Sequence, residues 1–155
     1  MAIKLSSIRR DVARETEGDW VEIPELIDPA TGETPAFRVR GLGYGPFSLA
    51  VSAMRGRLQR RYGAPESIPN DAFHREHGKL LAQHILLDWR GVSEPYTRDL
   101  AEEILCDPAS PVQLHCIRCS SELSEVAQAF DSDAAKNSEP ASAGSSKDAK
   151  VRLAG

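Results

Sequence analysis

A chain of 155 residues with 41% hydrophobic content can build one modest core, and its formal charge of −4 and pI of about 5.6 exclude nucleic-acid binding by overall charge. No apolar run approaches the roughly 20 residues of a bilayer span and no charged-then-apolar signal segment opens the chain, so no membrane is expected and the cytosol is the expected compartment. Three cysteines, an odd number without secretory context, argue against a disulfide framework.

The charge is unevenly spread. No acidic residue lies between Glu33 and Glu66, where Arg38, Arg40, Arg55, Arg57, Arg60 and Arg61 all fall, and acids outnumber bases from Glu66 to Phe130. Such polarity can orient copies of the chain in a ring or meet an acidic partner; a solvated face is the plainer alternative.

In chain order, residues 1–18 read as a polar arm or loose helix. "WVEIPEL" and "AFRVRGL" then read as two strands around the turn Asp28-Pro29-Ala30-Thr31-Gly32. Phe37 and Val39 alternate with Arg38 and Arg40, which predicts one buried and one basic face. Pro24 makes the first strand an edge or interrupts it. "GLGYG" between strand and helix lacks the G-x-G-x-x-G spacing and any following Lys-Ser/Thr, so it is read as a tight turn and not as a phosphate loop.

Phe47, Val51, Met54 and Leu58 recur at helical spacing, with Pro46 suited to the first turn and Gly63 to the stop. Arg57, Arg60 and Arg61 flank that stripe. Beyond the linker "APESIPND", Asn70 is a plausible N-cap. Phe73, His77, Leu80, His84 and Leu87 then predict a helix from about Asp71 to about Arg90, stopped by Gly91. At this junction Trp89 is read as an apolar anchor. Asp88 stays near solvent, and Pro95 to Thr97, with Tyr96 between them, turn the chain into a short helix capped by Thr97 and ended by Asp107-Pro108. Ser110-Pro111-Val112-Gln113 has the pattern of a capping box. The helix it opens carries Val112, Cys116, Cys119, Leu123, Val126 and Phe130 on one face.

Cys116-x-x-Cys119 and His74-x-x-His77 could be taken as halves of a zinc or redox site. Both cysteines and His77 lie on apolar helix faces, where free cysteine is an ordinary core residue, so no metal or other cofactor is expected. No hydrolase, kinase or metalloprotease motif is present, and the chain reads as non-enzymatic. From Asp131 the sequence turns rich in Ser, Ala, Lys and Asp, and residues 131–155 are expected to form a disordered tail or tether.

The succession "EGDWVEIPE", "FRVRGLGYGPF", an Arg-rich helix, "LLDWRGV", "PYTRDLAEEILCDP" and a helix closing in "AQAF" resembles the tail assembly chaperones of long-tailed bacteriophages and related gene-transfer particles. The resemblance runs from about Asp19 to about Phe130 and is sharpest at Leu87 to Val92 and Pro95 to Thr97. It implies a protein that binds the tape-measure protein in the host cytoplasm and keeps it soluble while tail-tube subunits polymerise around it. Such a protein is absent from the mature particle, and a longer frameshifted form can be made through the tail. The sequence departs from that pattern where "VSE" replaces a longer Asp/Gly-rich loop. The alternative is a structural tail or head-to-tail connector component.

The expected architecture is α+β, mainly α: an N-terminal β-hairpin and a bundle of about four helices over residues 19–130. Spare apolar stripe suggests a groove for a partner helix. The candidate partner-binding residues are Phe47, Val51, Met54, Arg57, Leu58, Arg60 and Arg61, or Leu123, Val126 and Phe130. A homo-oligomer is a further possible assembly.

Overall fold

A computed structural model describes residues 4–137, with side chains as far as Glu125 except that of Ser7. Two compact units divide the chain. Residues 11–124 form the larger, and residues 1–10 with 125–155 the other, in which the described parts are a 3-10 turn at Leu5–Ser7 and the last stretch of a helix.

The larger unit begins with α1 (Val12–Glu17), capped by Asp11, whose side chain accepts from the Arg14 N–H (3.0 Å). That helix falls in the expected arm, yet Glu15 is buried, its Oε1 accepting from Ser124 Oγ (2.7 Å). β1 (Asp19–Glu22) and β2 (Ala36–Val39) form the expected antiparallel hairpin, with Val21 opposite Phe37. Asp28 closes the turn between them by accepting from the Ala30 N–H (2.8 Å).

α2 (Gly45–Tyr62) has Pro46 in its first turn and stops at Gly63, as the sequence predicts. α3 (Asn70–His84) begins at Asn70 itself, after Pro69, so Asn70 is not the cap. The main departure follows it. The expected helix to Arg90 ends at His84, and Leu86–Arg90 forms a strand, β3, which pairs antiparallel with β2 to give a three-stranded sheet in the order β1-β2-β3.

Arg40 explains the early stop. Its Nη1 donates to the His84 carbonyl (3.0 Å) and its backbone N–H to the Ile85 carbonyl (3.0 Å). Two carbonyls orphaned at the end of α3 are thus satisfied by the residue that follows β2, and no glycine is needed there. The same guanidinium donates to the Thr16 carbonyl (2.7 Å) and lies 4.5 Å from the Tyr44 ring centre, while the Arg40 carbonyl accepts from Ser120 Oγ (2.6 Å). One arginine therefore joins α1, β2, the end of α3 and the last helix.

α4 (Arg98–Cys106) is capped by Thr97 as expected, with the Leu100 N–H donating to Thr97 Oγ1 (3.1 Å). α5 (Val112–Asn137) runs past the expected boundary at Asp131 in its backbone. Its entry is not the expected capping box. Ser110 Oγ accepts from the Val112 N–H (3.2 Å), but Gln113 is buried and its Nε2 donates to the His74 and Leu105 carbonyls, both at 2.9 Å. Joining two helices in the interior satisfies more buried carbonyl than a reach back to the cap would.

The core gathers Ile23, Phe37, Val39, Phe47, Leu81, Ile85, Leu86, Trp89, Leu105, Cys116 and Cys119 between the sheet and the helices. α3 is the centre of the helical layer, packing α2 on one flank and α4 on the other. No helix among the described residues is long and apolar enough to cross a membrane.

Candidate functional site: an apolar crevice at the Trp89 corner

Residues 86–96 form a stapled corner. Trp89 Nε1 donates to the Glu94 carbonyl (2.7 Å), the Tyr96 hydroxyl donates to the Leu86 carbonyl (3.2 Å), and the two rings meet edge to face at 5.0 Å. Burial pushes the Tyr96 phenol above its ordinary pKa, so it stays a neutral donor. Gly91 makes the turn with φ of 72°, and a Cβ there would lie 2.8 Å from Pro35 Cα. It is a post-strand turn and not the stop of a helix. Asp88 is half-buried, and its Oδ1 accepts from the Trp89 N–H (2.8 Å); Pro95 is exposed. Trp89 itself is 8% exposed, an anchor as the sequence suggests, but on a strand and against Phe37.

This corner opens on a crevice of about 130 Å³ lined by Leu26, Pro35, Phe37, Trp89, Val92, Glu94, Ile104 and Val112. Leu26 (41% exposed) and Val92 (38%) stand at its mouth, and Glu94 is its one charged lining residue. An apolar cleft with aromatic walls and half-exposed aliphatic lips is suited to take up a hydrophobic side chain.

The expected partner-binding stripe is elsewhere and is not free. Phe47, Met54 and Leu58 are buried and Val51 packs half-buried against the core, because α3 covers that face: the Phe47 ring lies 6.0 Å from His77 and 6.4 Å from His84. Leu123 is likewise buried. Val126 and Phe130 lie outside the residues whose side chains are described. Arg57, Arg60 and Arg61 remain exposed, Arg57 within 3.6 Å of Glu76 and Arg61 over the neighbouring Tyr62 ring. The stripe expected to bind a partner is thus largely core; Leu49, on another face of α2, stays exposed, and a lined apolar crevice is found at the Trp89 corner. Leu26 and Ile104 carried no signal in sequence, since "PEL" reads as strand continuation and Ile104 as one more core position of a short helix.

Cys116 and Cys119 are buried on α5; burial raises both thiols, Cys119 to about 11, so both stay protonated and inert at neutral pH. His74 is half-buried. Among the described residues no group of three or more His, Cys, Asp or Glu side chains could hold a metal ion.

His77 is flanked by Phe47 and by Phe73 at 5.4 Å. Burial lowers its pKa below 6.5, with Arg55 on α2 and His74 on α3 acting in the same direction and a hydrogen bond with Gln113 opposing. The unfolded chain thus takes up a proton that the folded chain refuses. Stability is fully present above about pH 6.5 and falls with pH until the folded-state pKa is passed. His84, lowered chiefly by burial, adds the same sign. Thermal melts from about pH 7.5 to about pH 5.5 are expected to show a falling Tm. In His77→Leu the fall should be shallower, and an unchanged slope would remove His77 from this account.

The sequence pattern of the family described as YdaY prophage protein matches residues 42–137. This is more than half of the chain, and it includes Trp89, Val92, Glu94, Ile104 and Val112 but not the hairpin that supplies Leu26, Pro35 and Phe37. No curated protein and no solved structure matches.

Proposed function

The chain belongs to the YdaY prophage protein family, and from that premise we propose that this phage-derived protein is a non-enzymatic assembly factor of the tail-chaperone type. In this reading it binds the tape-measure protein in the host cytoplasm, keeps it soluble until tail-tube subunits enclose it, and does not remain in the finished particle. The observation that carries the reading is the crevice beside Trp89. A long helical tape-measure protein must shield periodic apolar residues from water before assembly. A cleft that accepts one such side chain between Leu26 and Val92 suits helix-in-groove capture. Binding through single anchors is weak enough to be reversed when tube subunits compete, as a chaperone requires.

The test is co-expression of the tape-measure protein of the same phage with the wild-type chain or with Leu26→Asp/Val92→Asp. Both positions are half-exposed, so the variant keeps its fold. Recovery of soluble tape-measure protein with the wild type, reduced at least about tenfold by the variant, is the expected result, since a carboxylate left in an apolar cleft costs more than about 1.4 kcal/mol. Presence of the chain in purified particles would instead make it a structural tail or connector component and end the chaperone reading.

A further inference from the structure

The uneven charge noted in the sequence acquires a direction in the fold. α3 separates α2 from α4: the Phe47 ring of α2 stacks on His77, whereas Gly78, on the other flank of α3, packs against the Leu105 carbonyl of α4. The outer face of α2 carries Leu49, 75% exposed, then Ala53, exposed, and Gly56, half-buried, then Arg57 and Arg60, both exposed. Small residues there leave room for close approach of another helix. The outward face of α4 carries Asp99 and Glu103, exposed, and Glu102, half-buried. Arg57 and Arg60 stand at i, i+3, and so do Asp99 and Glu102. Beyond the 3.6 Å pair of Arg57 with Glu76, these charges form no ion pair among the described residues. Like charges held together on each face are left to be neutralised from outside.

We propose that the protein associates with itself head to tail, the outer face of α2 on one copy docking on the acidic outer face of α4 on the next. The occupant of the α2 face is a second copy because this chain itself displays the complementary charge at the matching spacing. The two faces belong to different helices at opposite flanks of α3, so the contact is heterologous: each copy uses both faces, and successive copies close into a ring or continue as a filament. Neither face includes the Trp89 crevice, so this inference and the capture of a tape-measure protein stand or fall separately.

Light scattering with size-exclusion chromatography across a range of concentrations tests it. At low ionic strength the wild-type chain is expected to exceed monomer mass, and in about 0.5 M salt, where charges are screened beyond a few ångströms, to return to monomer. Arg57→Glu/Arg60→Glu makes both faces acidic, and Glu102→Arg/Glu103→Arg makes both basic. Each variant alone should associate at least about tenfold more weakly, with little change in melting temperature, because Arg57, Arg60 and Glu103 are exposed, Glu102 is half-buried, and the one ion pair lost, Arg57 with Glu76, is a surface pair. The single Arg60→Glu variant gives a gentler version of the same loss. Mixing the two double variants should restore association, since the acidic α2 of one then faces the basic α4 of the other. A wild-type chain that stays monomeric at low salt, association indifferent to the reversals, or a mixture that fails to recover would overturn the proposal.

Discussion

Replacing Gly78 with alanine is expected to destabilise the protein by about 2 kcal/mol or more, lowering Tm by roughly 5 to 10 °C. In a helix interior the exchange normally stabilises, by about 0.5 to 1 kcal/mol, because glycine loses more backbone freedom on folding. Here the gain is overridden. A Cβ on Gly78 would lie 2.7 Å from the Leu105 carbonyl carbon and 2.9 Å from the Cys106 nitrogen, and both obstacles are backbone. The end of α4 cannot swing away, because the Leu105 carbonyl is held by Gln113 and Cys106 Sγ donates to the Arg75 carbonyl (3.3 Å). Gly56→Ala, at a half-buried position of α2, is the matched control. Its nearest contact would be the flexible end of Arg60 at 3.5 Å, so it should raise Tm slightly. Parallel thermal melts of the two variants decide the matter, and equal shifts of one sign would mean that the α3 to α4 approach is looser than the structure has it.

Trp89→Ala carries the other large effect, about 3 to 5 kcal/mol on urea unfolding. The ring is 8% exposed and touches Phe37 and Tyr96, so its removal leaves a cavity where the sheet meets α4. Trp89→Phe separates the two contributions of the side chain. It keeps most of the apolar contact and loses only the Nε1 donor to the Glu94 carbonyl, for which about 1 kcal/mol is expected. If Phe costs as much as Ala, the hydrogen bond and not ring burial holds the corner closed. Because Trp89 and Phe37 wall the crevice, the proposed chaperone function also expects the alanine variant, under conditions where it is still folded, to recover less soluble tape-measure protein than the wild type.

Much of this was legible in the residues. The hairpin at Asp28 to Gly32, the first-turn Pro46 and the Gly63 stop of α2, and the Thr97 cap of α4 are local devices, each decided within a few residues of chain. The apolar periodicity of α2, of the first part of α3 and of α5 was equally readable, because a helix built on such spacing must bury that stripe somewhere.

Sequence by itself thus determined most of the helical segments and their apolar stripes, since both follow from interactions three or four residues apart. Tertiary structure alone decided where those faces went. "ILLDWR" satisfies helical spacing and strand pairing alike, and it becomes β3 because β2 offers it a ladder and Arg40 binds the His84 carbonyl from 44 residues away. Covering α2 with α3 turned an expected partner surface into core, and Gln113 left its cap for two interior carbonyls. The apolar crevice lies at the Trp89 corner, assembled from Leu26, Phe37, Val92, Ile104 and Val112, and no local pattern could bring those residues together. Periodicity states how much apolar face a segment has, and only the closing of long loops settles which faces find each other.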